Sequence, residues 1–249
     1  MITDRTTGRG RVSGMRRAWG FTLVELLVTI ALLGILLSLA GPALTKVHGK
    51  AREIQCINNL RNLGIAQTMY ANDYRGRLVP HAVLRPAPPQ ALVPNEQMTF
   101  WPDLLAPYAG DDRSFRCPCM RCDPERGVGY GLNLKVARAF LVCDEAYGTH
   151  ERLIKNPAQT IHIGDSAFIT PDTQNGSAAQ WEEAIRPLGA WTMRTPDDPL
   201  WSLTPARAMP RHLGRANMLF VDGHAESLTI PQLGFDKPVG HPKNIWDRR

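Results

Sequence analysis

The sequence predicts an α+β protein, with one long N-terminal helix packed on a small antiparallel β-sheet. Three observations carry that expectation. Residues Phe21 to Ala40 form an apolar run with Glu25 as its one ionisable side chain, a length that suits a helix across a bilayer. Beyond Pro42, apolar residues keep stepping by three or four, through Leu44, Val47, Ala51, Ile54, Ile57, Leu60 and Leu63. Near the other end, Asp222-Gly223 separates two strand-like runs, Ala216–Val221 and His224–Leu228, which reads as a two-residue type I′ hairpin.

The chain has 249 residues, 43% hydrophobic and 21% charged, enough for one globular domain plus an anchor. Its net charge of +6 is unevenly placed. Residues 1–20 hold five arginines (Arg5, Arg9, Arg11, Arg16, Arg17) against Asp4, and the remaining 24 basic and 22 acidic side chains nearly cancel. The basic excess is therefore a leader rather than a nucleic-acid surface, and no nucleic-acid partner is expected. A secretory peptide would place a small-residue cut site after a shorter apolar core. Here the small residue, Gly20, comes before the apolar run, so a cut there frees the leader and keeps the helix.

Twenty helical residues from Phe21 cover roughly 30 Å, the thickness of bilayer hydrocarbon. An ionised carboxylate inside lipid costs about 2.5–3.5 kcal/mol, so Glu25 needs a partner or a place near the headgroups. Cleavage between Gly20 and Phe21 would create an amine at Phe21, one helical turn from Glu25. The amine of a neighbouring copy would serve equally well.

The stretch "RRAWGFTLVELLVTIALLGILLSLAGPAL" resembles the leader of type IV prepilins and type II secretion pseudopilins. That resemblance implies cleavage after Gly20 by prepilin peptidase, N-methylation of Phe21 and a role for the Glu25 carboxylate in filament assembly. It implies a pilin-like fold, other pilin or pseudopilin subunits as partners, and an inner-membrane assembly platform. Leader arginines would stay cytoplasmic, giving one pass of the inner membrane and a periplasmic or extracellular C-terminal domain. The expected divisions are a leader at 1–20, a membrane or filament-core helix at 21–42, its amphipathic continuation at 43–79 and a soluble α+β domain at 80–249. The alternative function is a membrane-tethered periplasmic binding module that uses the leader only for export.

Within the soluble part, "ANDYRGRLVP" ends the long helix near Tyr74, and "FWPDLLAPYAG" suggests a short helix stopped by Pro107 and Gly110. Residues 83–99 are proline-rich loop, "GYGLN" is loop or short strand, and a strand is expected around Thr160–Ile163. Residues 170–210 read as a long ordered excursion with one short helix near Ala178–Ile185. Pairing across Asp222-Gly223 sets Phe220 opposite Ala225 and Met218 opposite Ser227, the face expected to meet the long helix. His212 precedes Asp222-Gly223 in an H-x9-D-G arrangement spanning 212–228. Together with "CINNLRNLGIAQTMYANDYRGRLVP", Cys117-Pro118, "GYGLN" and "NPAQTIHIGDS", it resembles the domain that follows such leaders in planctomycete-like bacteria. That domain's role is poorly defined, so the resemblance implies a structural class rather than a reaction.

His162, Asp165, His212, Asp222 and His224 are of types that ligate metals or move protons. Asp222 is accounted for by its turn, His224 by a strand edge and His212 by backbone bonding, so structural roles are expected, with no metal, cofactor or catalysis. No nucleophile elbow, phosphate loop or zinc-protease helix is present. Cys117, Cys119 and Cys122 crowd together, with Cys143 beyond them and Cys56 on the helix. Their spacing is not a standard pair of zinc knuckles, and an oxidising compartment favours disulfides over zinc or free thiols. One bridge would tie Cys56 to the Cys117 region, and the odd count leaves a thiol without an intrachain partner.

Overall fold

A computed structural model describes residues 21–122, 127–137, 148–234, 241 and 244–246, with backbone only at 39, 40, 42 and 43. The leader and Cys143 lie outside the described residues. The chain divides into two compact units, Met1–Lys46 and Val47–Arg249.

Helix α1, Leu23–Asp73, ends within a residue of its expected stop and contributes to both units. Its start is set by a capping box. Thr22 N and Oγ1 each donate to Glu25 Oε2 at 2.9 Å, and Glu25 N donates back to Thr22 Oγ1 at 3.2 Å. In the first unit the apolar side chains from Phe21 to Leu37 are exposed. Among the described residues no helix is long and apolar enough to cross a membrane.

In the second unit, the buried seam of α1 differs from the expected stripe. Val47, Ala51 and Ile54 are exposed, as is Leu44 in the first unit, while Glu53, Cys56, Leu60, Leu63, Gln67 and Tyr70 are buried. Two seams run along this helix, and the domain takes the one beginning at Glu53 and Cys56. Glu53 tolerates burial because Lys50 reaches its carboxylate at 2.8 Å. The second apolar stripe, with Val47, Ile54, Ile65 and Met69, is left uncovered.

A two-stranded ribbon follows, β1 (Ala82–Val83) with β2 (Thr99–Phe100), leading into α2 (Trp101–Ala109). Pro107 is accommodated inside the last turn of α2, and the helix stops before Gly110, whose φ is 72°. The main sheet has strands β3 (Tyr130–Asn133), β4 (Ile161–Phe168), β5 (Thr192–Met193), β6 (Ala206–Ala208), β7 (Arg215–Phe220) and β8 (Ala225–Thr229). A four-residue helix, α3 (Leu134–Ala137), follows β3 directly. Spatial order is β5-β3-β4-β7-β8, with β6 paired to the far half of β4. All pairings are antiparallel except β3 with β5, so the sheet is larger than expected and mixed.

The excursion at 170–210 is where the extra strands come from. The expected helix near 178–185 is a single 3₁₀ turn, Ala178–Gln180, and the same segment supplies β5 and β6. Proline-rich flanks and short apolar pairs suit edge strands better than a helix. Its tryptophans have a definite task. Arg207 is buried, with its guanidinium 3.8 Å from the Trp201 ring centre and 4.7 Å from that of Trp181.

The hairpin register is also shifted by one from expectation. Leu219 faces Ala225 and Met218 faces Glu226, which leaves a three-residue loop, Val221-Asp222-Gly223. Gly223 at φ 92° and the Asp222 carboxylate accepting from His224 N at 3.1 Å favour this turn. The slip exchanges the two faces. Leu219 and Ala225 meet the cluster built on α1, whereas Met218 and Phe220 pack with Ile161, Leu233 and Trp246.

Strand β4 carries one extra residue where it pairs with β7. Ile161 pairs with Phe220 and Ile163 with Leu219, so His162 is the bulged residue between them. Its ring is fully buried, and neither nitrogen has a hydrogen-bond partner. Burial alone pulls its pKa down to about 4. Because the unfolded chain takes up this proton near pH 6.5 and the folded one does not, stability should fall as pH drops from about 6.5 to about 4. The loss attributable to this group is about 3 kcal/mol. Urea midpoints measured across that window should fall less for His162→Phe than for the unaltered protein.

Candidate functional site

Four donor side chains from four separate parts of the second unit meet in its interior. Cys56 comes from the buried seam of α1, and Cys117 from the loop after a 3₁₀ turn at Asp112–Phe115. Asp165 sits in the middle of β4, and His212 just ahead of β7. Their ligating atoms all lie within 4.8 Å of one another, and every residue is at most 1% exposed.

Each is aimed by its neighbours. Helix α1 holds the Cys117 loop through Asn59 Nδ2, which donates to Arg116 O at 2.9 Å. Gly129 allows the loop to press on the sheet, since a Cβ there would lie 2.5 Å from Cys117 N. His212 stands at the mouth of a tight turn, exchanging backbone bonds with Arg215 at 2.9 and 3.0 Å. The two residues of that turn, Leu213 and Gly214, have φ of 52° and 78°. The positive-φ pair expected at the Asp222 hairpin thus occurs here instead, and the strained Leu213 is part of what directs His212.

The contacts within the cluster are close. Cys56 Sγ donates to Asp165 Oδ1 at 3.3 Å and accepts from Tyr130 Oη at 3.3 Å. His212 Nε2 lies 3.3 Å from both Cys117 Sγ and Asp165 Oδ2. Asp165 Oδ2 also accepts from Asn217 N at 2.8 Å, and Oδ1 lies 3.8 Å from Arg211 Nη1. Arg211 is anchored in turn by the Glu183 carboxylate, at 2.6 and 2.9 Å, and by Gly129 O at 2.8 Å.

Electrostatics follow from this crowding. Burial opposes the charge on His212, but hydrogen bonds to Asp165 and Cys117 outweigh it and push the imidazole up to about 10. Burial would raise Asp165, yet His212 and Arg211 hold it below the usual carboxylate range. Burial likewise opposes a Cys117 thiolate, but bonds from Cys56 and His212 pull the thiol down to about 7. Cys56 goes the other way, raised by burial, by Cys117 and by the Asp165 charge.

The structure sorts the candidate residues. Asp165 and His212 meet, His162 sits apart in its bulge, and Asp222 with His224 forms an exposed pair at 2.6 Å in the hairpin turn. His212 is therefore not merely a backbone-bonded sheet residue. Cys56 and Cys117 come together as expected, but no disulfide involves Cys56, Cys117 or Cys119. The crowded trio is split, because Cys117 turns inward while Cys119 and Cys122 are half-buried. The mixed set of two cysteines, an aspartate and a histidine was not legible as a unit, since its members are 109 residues apart at the widest bonded contact. For Glu25 a local signal existed. Thr22-x-x-Glu25 is a capping-box spacing, and it gives the carboxylate a local role at the helix start.

Residues 15–41 match the prokaryotic N-terminal methylation motif. No curated protein and no solved structure matches the chain. The chain thus carries a prepilin-type N-terminal segment, whose described part is Phe21, Thr22 and the first turns of α1.

Replacing Gly129 with Ala should force the Cys117 loop off the sheet and cost about 1–3 kcal/mol. Thermal unfolding, together with the alkylation rate of Cys117, checks this: the variant should melt lower and react faster.

Proposed function

We propose that the chain is a prepilin-like subunit, a pseudopilin or minor pilin, that prepilin peptidase processes and that assembles into a type IV pilus or type II secretion-like filament. The observation that carries this is the methylation motif over residues 15–41. Cleavage after Gly20 and methylation of Phe21 would leave a cationic chain end one turn from Glu25. The helix from Phe21 onward would sit in the inner membrane before assembly, with the leader in the cytoplasm. In the filament it would pack beside copies of itself and related subunits.

Two features of α1 support that mechanism. Its described first-unit apolar side chains are exposed, and a second apolar stripe in the second unit is uncovered. Apolar helix surface of this kind is covered either by lipid or by other helices. Glu25 then enforces register through penalty, because a buried carboxylate without a cation costs several kcal/mol. Its bonds to Thr22 hold the carboxylate until the new amine is exposed.

Protein recovered from native membranes should begin at methylated Phe21 by intact mass and N-terminal sequencing. A chain that keeps Met1 would remove this reading. Glu25→Ala should still be inserted and cleaved, since processing reads the leader. Its recovery in sheared filament fractions should fall by about tenfold or more, the effect of roughly 1.4 kcal/mol per contact.

A second reading is a membrane-tethered binding module. An open cavity of about 350 Å³ lined by Arg121, Trp181, Glu183 and Arg211 favours it. Full activity of a Glu25→Ala cell would point there.

A further inference from the structure

We propose that Cys56, Cys117, Asp165 and His212 bind one thiophilic divalent cation, zinc, as a closed structural centre that fastens α1 to the sheet. The argument begins with geometry. Zinc bound tetrahedrally, at about 2.3 Å to sulfur and about 2.0–2.1 Å to nitrogen or oxygen, separates its ligand atoms by roughly 3.3–3.8 Å. The pairs Cys56–Asp165, Cys117–His212 and His212–Asp165 each stand at 3.3 Å. The remaining pairs of ligand atoms lie within 4.8 Å, so a small inward closure sets all four about one ion.

The orientation of His212 separates this from a catalytic relay. A nucleophile–imidazole–carboxylate chain uses the two ring nitrogens for its two partners. Here a single nitrogen, Nε2, faces both Cys117 and Asp165, while Nδ1 has no hydrogen-bond partner. One lone pair aimed where a thiol and a carboxylate also point is the arrangement of ligands about an ion. Burial argues the same way, because residues at most 1% exposed leave no opening for a substrate. Four protein ligands with no open position make a structural site.

The donor set selects the ion. Two thiolates and an imidazole suit zinc and exclude calcium and magnesium, which take oxygen ligands. Charge and protons balance. One dication enters as two thiols and the imidazolium each release a proton, leaving two thiolates, a neutral imidazole and the carboxylate. The resulting excess negative charge is opposed by the Arg211 guanidinium, 3.8 Å from Asp165. A Cys56–Cys117 disulfide would instead consume both sulfurs, breaking the Cys56–Asp165 and Cys117–His212 contacts.

The test uses the full chain, purified in detergent without chelator. Elemental analysis should find about one zinc per chain, and chelation should lower the melting temperature by several degrees. Replacement by cobalt(II) should give thiolate-to-metal charge-transfer bands together with the visible bands of a tetrahedral ion. Cys56→Ser combined with Cys117→Ser should cut bound metal by about tenfold or more. Cys119→Ser should leave it unchanged. Should the double variant fail to fold, the unaltered chain still decides: Cys56 and Cys117 should resist alkylation with metal present and react once it is stripped. Three results overturn the proposal. They are an unaltered chain that takes up no zinc or cobalt on reconstitution, a Cys56–Cys117 disulfide in peptide mass maps, and metal retained by the double variant.

Discussion

A fully buried carboxylate at the centre of the sheet constrains everything around it. Asp165 lies in mid-strand with no access to water, and an ionised group there is stable only if its partners arrive from elsewhere. They come from the helix through Cys56, from the turn before β7 through His212, and from the next strand through Asn217 N. The residue before His212, Arg211, adds a cation that Glu183 holds in place from within the excursion. Few alternative packings would satisfy this carboxylate, and that specificity explains why segments so distant in sequence share one interior.

The same requirement explains the choice between the two apolar seams of α1. Either stripe would have buried hydrophobic area, and hydrophobicity alone is non-directional. Turning Cys56 inward brings Leu60, Leu63 and Tyr70 into the core with it and commits Glu53 to burial beside Lys50. The other stripe is thereby left for a different environment. A helix so divided can belong to a folded domain on one side and present apolar surface on the other.

Special backbone positions serve the site more than the fold at large. Gly129 lets the Cys117 loop approach the sheet closely, and the Leu213-Gly214 turn sets His212 at the correct height. The excursion at 170–210 acts as a brace. It adds two strands, stacks Trp181 and Trp201 about Arg207, and delivers Glu183 to Arg211.

Local and periodic features could be read directly from the residues. The leader, the apolar body of α1, the helix end near Asp73, the short helix at Trp101 and the Asp-Gly hairpin all depend on neighbours within about one turn or one strand. The methylation motif is of this kind, being contiguous. What the residues alone left undecided depends on contacts across the fold. Which seam of α1 is buried, whether the hairpin loop holds two residues or three, and which cysteines face inward are settled by packing energies that spacing does not contain. The four-residue cluster is the clearest case: donors on a helix, a loop, a mid-strand position and a turn have no fixed spacing to recognise. It exists only once Asp165 has gathered its partners.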